Sequence, residues 1–403
     1  MPVRNPGTHA SETAGTVDHF VYSPASSYPK PYARLIDRSG AEVHLWSHDA
    51  GQPPVEEDPP SFLRGWNHVE VAADGGLFAQ VPLRALLRLD RDSTLLWQAD
   101  VSAHHDLHIR ADGTVLVLTE APRRITVDHS GFTVLDNAVT LLDGGDGHLV
   151  QQVSLLDVLG TEPTIAALIR ERILAQHAAF REAAHPTRPE EAELLASATY
   201  SGSLTHALAL LRRLPGSPCD ILHANTVEEL DAHPAGLWPA GAVLASLRNL
   251  DLVAIVDLDA ARVLWWWGPG DISGQHQPTA LPHGNLLIFD NGRATGRSRV
   301  VEVDPVRRAV VWEYAADPPE SFFTALAGGS QPLPSGNILV TDAQAGRGFE
   351  ITRAGAVTWE WYTEKVPGAT GTSRVTLYRL AGVSGAIVEG LRSHGPAAPG
   401  SPA

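Results

Sequence analysis

The sequence predicts an all-β fold, a six-bladed β-propeller with a helical insertion between its second and third blades. Three observations predict it: a strand-rich unit that recurs, a Trp near the end of three of these units (Trp97, Trp312 and Trp359), and short apolar runs joined by Asp-Gly or Gly-Asn turns. Trp312 and Trp359 lie 47 residues apart, and Gly284 and Gly336 lie 52 apart. A repeat of that size is typical of a four-stranded blade, which needs neighbouring blades to bury its faces.

Five blades are identified by the polar or His-bearing segments that open them. In chain order, these openings are His68, His104-His105, His223, His276 and Ser330. The tail Ser373–Leu380 supplies one strand of a sixth blade, and the N-terminal Tyr32–Trp46 supplies the rest. Both chain ends then close the ring in one blade and leave no sheet edge exposed. Five or seven blades are the alternatives.

Residues 161–214 break the strand pattern, because their apolar residues recur at helical spacing. We interpret this segment as an insertion of about three helices within a single propeller domain, 18–385, where it would cover one mouth of the ring. Residues 1–17 and 390–403 are rich in Pro, Gly, Ser and Ala and are predicted to be flexible ends.

The composition excludes several classes of partner. The chain has 403 residues and a formal net charge of −16, which disfavours nucleic acid and anionic membrane surfaces. Cys219 is the single cysteine, so no intramolecular disulfide is possible. No apolar run approaches the roughly 18 residues needed to span a bilayer, and the first thirty residues have no apolar signal core. These observations predict a cytoplasmic protein.

Four histidines at equivalent blade openings are the candidate site residues. The innermost strands of a propeller line its central channel, so His68, His105, His223 and His276 converge there although they are distant in sequence. His105 and His276 each stand eight residues before a turn glycine, and strand alternation points them the same way. His104 is one residue out of that register. A single His on a strand is usually structural, whereas four equivalent ones indicate a site.

Two further polar residues extend the candidate site. Asn225 is two residues after His223 and can face the same side of a strand. Arg248 lies in a mostly apolar run, and the guanidinium fork fits a tetrahedral oxyanion. The structural alternative is that Arg248 caps a strand and pairs with Asp251.

The motifs around these residues resemble the bacterial arylsulfotransferase family, whose members act without the nucleotide sulfate donor. They are HHD before a turn, LHANTV followed by SLR, GQH followed by FDNG, and a late PSGNILV, and the resemblance covers about residues 30 to 380. It implies a six-bladed propeller, no cofactor, and ping-pong transfer of a sulfuryl group from a phenolic sulfate to a phenol through a sulfohistidine.

The resemblance also implies roles for individual residues. His276 matches the family's nucleophile, and His105, or alternatively His104, matches its second histidine. His223 and Arg248 match further catalytic positions. Asn225 matches a family active-site residue and, with His68 and His104, is expected to bind substrate. Known members are periplasmic, with a signal peptide and a disulfide, so this chain is expected to be a cytoplasmic enzyme of specialised metabolism.

Two alternative functions stay open from the sequence. One is a metal-dependent propeller enzyme in which His68, His105, His223 and His276 hold iron, copper or zinc. The other is a ligand-binding propeller without catalysis. Because a cation site rarely has a guanidinium beside it, Asn225 and Arg248 favour sulfuryl transfer over the metal site.

Overall fold

The structure, a computed structural model, describes residues 17–24, 30–52, 65–182, 218–368 and 371–393. Its strands form six four-stranded antiparallel sheets and one hairpin. The strands near the N-terminus are β1 (His19–Pro24), β2 (Tyr32–Asp37) and β3 (Glu42–Ser47). Blade one contains β4 (Val69–Val71), β5 (Leu77–Val81), β6 (Ala85–Leu89) and β7 (Leu95–Ala99). Blade two contains β8 (Ala103–Ile109), β9 (Val115–Val127), β10 (Ser130–Leu142) and β11 (Leu149–Ser154).

The remaining blades repeat this order. Blade three contains β12 (Ala224–Leu230), β13 (Ala242–Leu247), β14 (Leu252–Asp257) and β15 (Arg262–Trp267). Blade four contains β16 (His276–Ala280), β17 (Leu286–Asp290), β18 (Arg299–Asp304) and β19 (Ala309–Ala315). Blade five contains β20 (Gly329–Pro332), β21 (Ile338–Asp342), β22 (Arg347–Ile351) and β23 (Val357–Tyr362). The last strands are β24 (Lys365–Gly368), β25 (Gly371–Arg374) and β26 (Leu377–Val383). The predicted six-bladed propeller is confirmed.

Blade six closes the ring with both ends of the described chain. Its strand order is β26-β1-β2-β3, so the C-terminal strand is innermost and the N-terminal strands lie outside it. The predicted tail strand Ser373–Leu380 is wrong in detail, because β25 pairs with β24 and the inner strand is β26. The sequence pattern does not show where β25 ends and β26 begins, so the two strands are predicted as one. Strand β1, which the sequence did not predict, lies between β26 and β2.

The helical insertion is confirmed in part. Helices α1 (Leu155–Leu159) and α2 (Pro163–Glu182) follow blade two and precede blade three. The other helices predicted within 161–214 lie outside the described residues. A further helix, α3 (Gly385–Ser393), packs three buried apolar residues against the core that blades six and one share. The predicted flexible end 390–403 therefore begins inside this helix, and 394–403 lies outside the described residues.

Outer-strand tryptophans join neighbouring blades. Each indole Nε1 donates a hydrogen bond to a backbone carbonyl in a turn of the next blade. The five pairs are Trp46 with Gly75 (3.2 Å), Trp97 with Gly144 (3.0 Å), Trp265 with Pro305 (3.1 Å), Trp312 with Arg353 (2.8 Å) and Trp359 with Arg38 (2.9 Å). The repeated Trp of the sequence is therefore a contact between blades.

The seam between blades two and three is built differently. Strand β11 has no Trp, and buried apolar residues of α1 and α2 pack there against β9, β10, β12, β13 and β14. In the part of the chain that the structure describes, no helix combines the length and apolar character needed to cross a membrane.

Trp46→Ala is expected to destabilise the ring by about 3–5 kcal/mol, because it removes a large buried side chain. Trp46 is fully buried in the seam between blades six and one, and its hydrogen bond to Gly75 is lost as well. The free energy of unfolding, measured in urea by circular dichroism, checks this. Leu96→Ala, at a side chain that is 55% exposed, is the control and is expected to stay within about 0.5 kcal/mol of wild type. Equal losses of stability in Trp46→Ala and Leu96→Ala would contradict the role of Trp46 in the seam between blades six and one.

Candidate active site

Irregular inner strands aim the candidate residues. The pairing of the inner strand shifts register between Ala103 and Leu107 in blade two, between Ala224 and Thr226 in blade three, and between His276 and Thr279 in blade four. Non-glycine residues with positive φ accompany these shifts: His105 (60°), His223 (47°) and Gln277 (44°). Such conformations are costly and concentrate at functional sites, and bulges re-aim side chains.

His105 and His223 lie together. Their ring centroids are 4.6 Å apart in an edge-to-face arrangement. On its other side, Nδ1 of His105 is 2.9 Å from Nδ1 of His104, so one of these nitrogens donates to the other. His105 and His223 are half-buried and His104 is buried. The two predicted candidates for the second histidine are thus hydrogen-bonded neighbours, and His105 is the one beside His223.

His276 is held in one tautomer. Its Nδ1 is 2.7 Å from Oδ1 of Asn291 and 3.1 Å from the Gly274 carbonyl. The Asn291 amide nitrogen donates to the carbonyls of Thr324 and Ala327, at 2.8 and 2.9 Å, which fixes Oδ1 as the acceptor. Nδ1 of His276 therefore carries the proton, and Nε2 keeps its lone pair.

His223 has a carboxylate partner. Nδ1 of His223 is 2.5 Å from Oδ2 of Asp220, so it donates to that carboxylate and Nε2 is left facing the other way. The Asp220 backbone carbonyl accepts hydrogen bonds from Asn249 (2.7 Å) and Gln176 (3.3 Å). The Gln176 bond ties helix α2 to the site.

The Arg248 guanidinium does not form the pair with Asp251 that the structural alternative requires. Its Nε and Nη2 are 3.3 and 3.2 Å from Oδ1 of Asn249. Asp251 instead accepts a hydrogen bond from the Gly274 amide at 2.7 Å. In the described ranges, no carboxylate oxygen lies within 4.0 Å of Arg248. Most donors of this half-buried guanidinium thus remain available to a ligand.

Electrostatics keep the imidazoles neutral. Burial and the charge of Arg248 lower the pKa of His276 to about 3. Burial and the neighbouring His223 lower the pKa of His105 well below its ordinary value. Burial lowers the pKa of His104 to about 4 and that of Arg248 to about 10.

The Asp220–His223 pair is different. Burial and Arg248 lower the pKa of His223, but Asp220 opposes both. Burial disfavours the Asp220 carboxylate, yet His223 and Arg248 outweigh it and bring its pKa to about 2. Asp220 is therefore an anion at neutral pH, and its hydrogen bond with His223 stabilises the protonated form of that imidazole.

Asn225 acts on the backbone that carries His276. It is fully buried, and its amide nitrogen donates to the Gln275 carbonyl at 2.8 Å. The sequence predicts that Asn225 binds substrate, but this hydrogen bond already uses its amide donor. Its Oδ1 has no partner among the residues that the structure describes. Asn225 thus positions the strand start that presents the neighbouring His276.

His68 belongs to a second, fully buried cluster. Its Nε2 is 3.0 Å from Glu70 Oε1, 3.5 Å from Asp106 Oδ1 and 3.3 Å from Nη1 of the Arg379 guanidinium. The same Nη1 pairs with Asp106 at 3.1 Å. Tyr378 separates the two groups, with its ring centroid 6.4 Å from that of His68 and 6.2 Å from that of His105. The structure therefore does not place His68 with the other predicted site residues.

The four-histidine metal set is not assembled either. No three of His68, His105, His223 and His276 bring ring nitrogens within 4.8 Å of one another. In the described part of the chain, the one group of three such ligands is Asp143, Asp146 and His148, half-buried or exposed on a turn of blade two.

Sequence reasoning missed three residues of the site. Asn291 lies in the FDNG motif, and Asp220 lies three residues before His223, but the sequence pattern assigns neither residue a role. Tyr378, on the inner strand of blade six, gave no sequence signal beyond its place in the closing blade.

Fold and site together define a six-bladed β-propeller with a histidine- and arginine-lined site at the inner strands of blades two, three and four. The chain belongs to the arylsulfotransferase (ASST) family, whose model matches residues 84–364. This membership supports an aryl sulfotransferase-type function. No curated protein matches the chain.

One solved structure shows the same kind of fold at low sequence identity, and two others are similar with lower TM-scores. A protein of unknown function from Bacteroides caccae is 13% identical, with 91% of this chain and 98% of that chain covered and a TM-score of 0.51. The Dos1 propeller is 12% identical, with 91% and 77% covered and a TM-score of 0.41. An inactive virginiamycin B lyase from Staphylococcus aureus with quinupristin is 9% identical, with 87% and 88% covered and a TM-score of 0.41.

Proposed function

We propose that the chain transfers a sulfuryl group from an aryl sulfate to a phenol through a sulfohistidine on His276. The observation that carries the proposal is the 2.7 Å hydrogen bond from Nδ1 of His276 to Asn291, which leaves the Nε2 lone pair free. A neutral imidazole is a nucleophile, and the low pKa of His276 keeps it neutral. The family membership supports this class of reaction.

In the first half-reaction, Nε2 of His276 attacks sulfur and the bond between sulfur and the aryl oxygen breaks. Charge spreads over the sulfuryl oxygens, as it does in phosphoryl transfer, so electrostatic stabilisation dominates. Arg248 has the donors and the planar fork to hold these oxygens. The leaving oxygen takes the proton that Nε2 of His223 carries, and the negative charge of the bound sulfate ester favours that protonated form.

In the second half-reaction, the acceptor phenol gives its proton to the neutral Nε2 of His223. The phenol oxygen attacks sulfur, the bond between nitrogen and sulfur breaks, and His276 is restored. We assign the proton transfer to His223 rather than His105, because Asp220 bonds to its far nitrogen, whereas His105 has an imidazole there. Two imidazoles with different surroundings thus take different roles. The reaction as written needs no cofactor.

The test is incubation of the wild-type protein with p-nitrophenyl sulfate and a phenol. We expect release of p-nitrophenol that depends on the acceptor, together with formation of the sulfated acceptor. Without acceptor, intact mass is expected to show one added SO₃ per chain. Absence of release with every phenolic acceptor would overturn the proposal. The cytoplasmic location and the role in specialised metabolism stay predictions.

Asp220→Asn is expected to move the pH dependence of the second half-reaction. His223 must be neutral there, and burial and Arg248 lower its pKa from that of an ordinary imidazole, so the acidic limb of kcat/KM for the acceptor is expected at a lower pH than an ordinary imidazole would give. Asp220 raises that pKa, so its loss is expected to shift the limb downward by about one pH unit. Protonated His223 becomes scarcer in this variant. Sulfuryl transfer from donors whose phenol is a poor leaving group is therefore expected to be about tenfold slower or more.

Asp259→Asn, at an exposed carboxylate, is the matched control. It is expected to change neither the acidic limb of the pH profile nor the dependence on the leaving group. An unshifted acidic limb in Asp220→Asn, with an unchanged dependence on the leaving group, would remove His223 from its acid–base role.

A further inference from the structure

The mouth of the site carries arginines beyond the one that the mechanism uses. Helix α2 packs on the Arg248–Leu250 turn. Gln176 of this helix contacts the Asp220 carbonyl, and Arg172 stands one helical turn earlier on the same face. The exposed Arg172 guanidinium thus lies at the edge of the site.

A second arginine reaches the mouth from blade four. The Arg293 amide donates to the Ser273 carbonyl at 3.2 Å. Its aliphatic stem lies against Gly274, where an added Cβ would be 2.3 Å from Cδ of Arg293. The exposed Arg293 side chain therefore lies over the turn that leads into His276.

Neither guanidinium is paired with a carboxylate. Three carboxylates near this mouth accept other hydrogen bonds: Asp220 from His223, Asp251 from the Gly274 amide, and Asp290 from the Ser273 amide and Arg299. Among the described residues, no ion pair within 4.0 Å involves Arg172 or Arg293. Burial lowers the pKa of Arg248, and the charges of Arg293 and Arg172 lower it further, which places all three in one electrostatic neighbourhood.

This concentration of positive charge is local. The whole chain has a net charge of −16, yet three guanidiniums without an ion pair within 4.0 Å to any described residue stand around one opening, where Asp220 and Asp251 offset part of their charge. Positive charge at a cleft raises the local concentration of anions. Arg248 is assigned to the sulfuryl group, which leaves two cations further out for a second negative group.

We propose that the preferred phenolic substrates carry a carboxylate, which Arg172 and Arg293 bind at the channel mouth while Arg248 holds the sulfuryl group. This inference rests on the proposed function and names its substrate class. The alternative is that the outer arginines only attract the sulfate ester of the donor. An acceptor carries no sulfate, so acceptor selectivity separates the two.

The experiment compares 4-hydroxyphenylacetate with its neutral amide as acceptors, with p-nitrophenyl sulfate as the donor. We expect kcat/KM to be about tenfold higher for the acid, which corresponds to about 1.4 kcal/mol. Arg172→Gln and Arg293→Gln are each expected to lower this ratio, and the double variant to bring it near one. Added salt is expected to lower it as well, because both side chains are exposed. Arg307→Gln, at an exposed arginine on the β18–β19 turn, is the control and is expected to keep the ratio and the basal rate.

Equal transfer to both acceptors would overturn this inference and leave the proposed function standing. Slower sulfation of His276 in the variants with an unchanged acceptor ratio would show donor attraction alone and would also overturn it. If neither acceptor is sulfated, the proposed function fails, and calorimetric titration with the two acceptors still decides the inference. Tighter binding of the acid that is lost in the double variant supports the carboxylate site, whereas equal binding overturns it.

Discussion

His276→Ala is expected to abolish sulfuryl transfer, with a loss of kcat/KM on the order of 10³-fold or more, because the covalent intermediate cannot form. The measurement is release of p-nitrophenol from p-nitrophenyl sulfate, with intact mass recorded before an acceptor is added. Wild type is expected to gain the mass of one SO₃ group and the variant to gain none. His276 makes hydrogen bonds to Asn291 and Gly274, so circular dichroism must show that the variant is folded.

The control is His148→Ala, which removes a histidine that is 61% exposed on a turn of blade two. This variant is expected to keep full activity and the mass gain. A sulfated protein in the His276→Ala variant, with the modification mapped to His223 or His105, would move the nucleophile to that residue.

Arg248→Ala is expected to lower kcat for the donor by about 100- to 1000-fold, which corresponds to about 3–4 kcal/mol of lost transition-state stabilisation. The effect is large because the guanidinium is half-buried and its pKa of about 10 keeps it charged at neutral pH. Arg248→Lys keeps a charge but loses the planar fork, so it is expected to recover only part of the rate.

The division between kcat and KM tests the role of Arg248. A rise in KM with unchanged kcat would mean that Arg248 binds the ground state and the transition state equally. Such a result would contradict its assignment to the developing charge on sulfur. The exposed Arg307→Gln again serves as the control for the loss of one positive charge.

The blade count could be predicted from the sequence because each blade repeats the same local requirements. Turn glycines such as Gly284 and Gly336 adopt φ of 98° and 85°, which other residues rarely do, so their spacing marks the hairpins. The outer-strand Trp repeats because each one bonds the next blade. These demands are local and therefore visible in one sequence.

The site could be predicted only in part, because irregular backbone decides its geometry. Strand alternation assumes continuous pairing, but register shifts interrupt the inner strands that carry His105 and His276. One extra residue turns a side chain to another face. His68 comes before a strand with regular pairing and points into the Glu70–Asp106–Arg379 cluster instead. The roles of Asp220 and Asn291 depend on contacts across loops that no spacing reveals.

The seam between blades two and three has a mechanical consequence. Five joints of the ring share one repeated design, and the sixth depends on two helices that are not part of any blade. Heat or denaturant is expected to open the ring first at the seam between blades two and three. Because Gln176 of the same helical pair touches Asp220, and Asp220 holds His223, loosening there is expected to misalign His223 before the rest of the molecule unfolds. Helices α1 and α2 thus stabilise both the ring closure and the site, and loss of activity is expected to precede global unfolding.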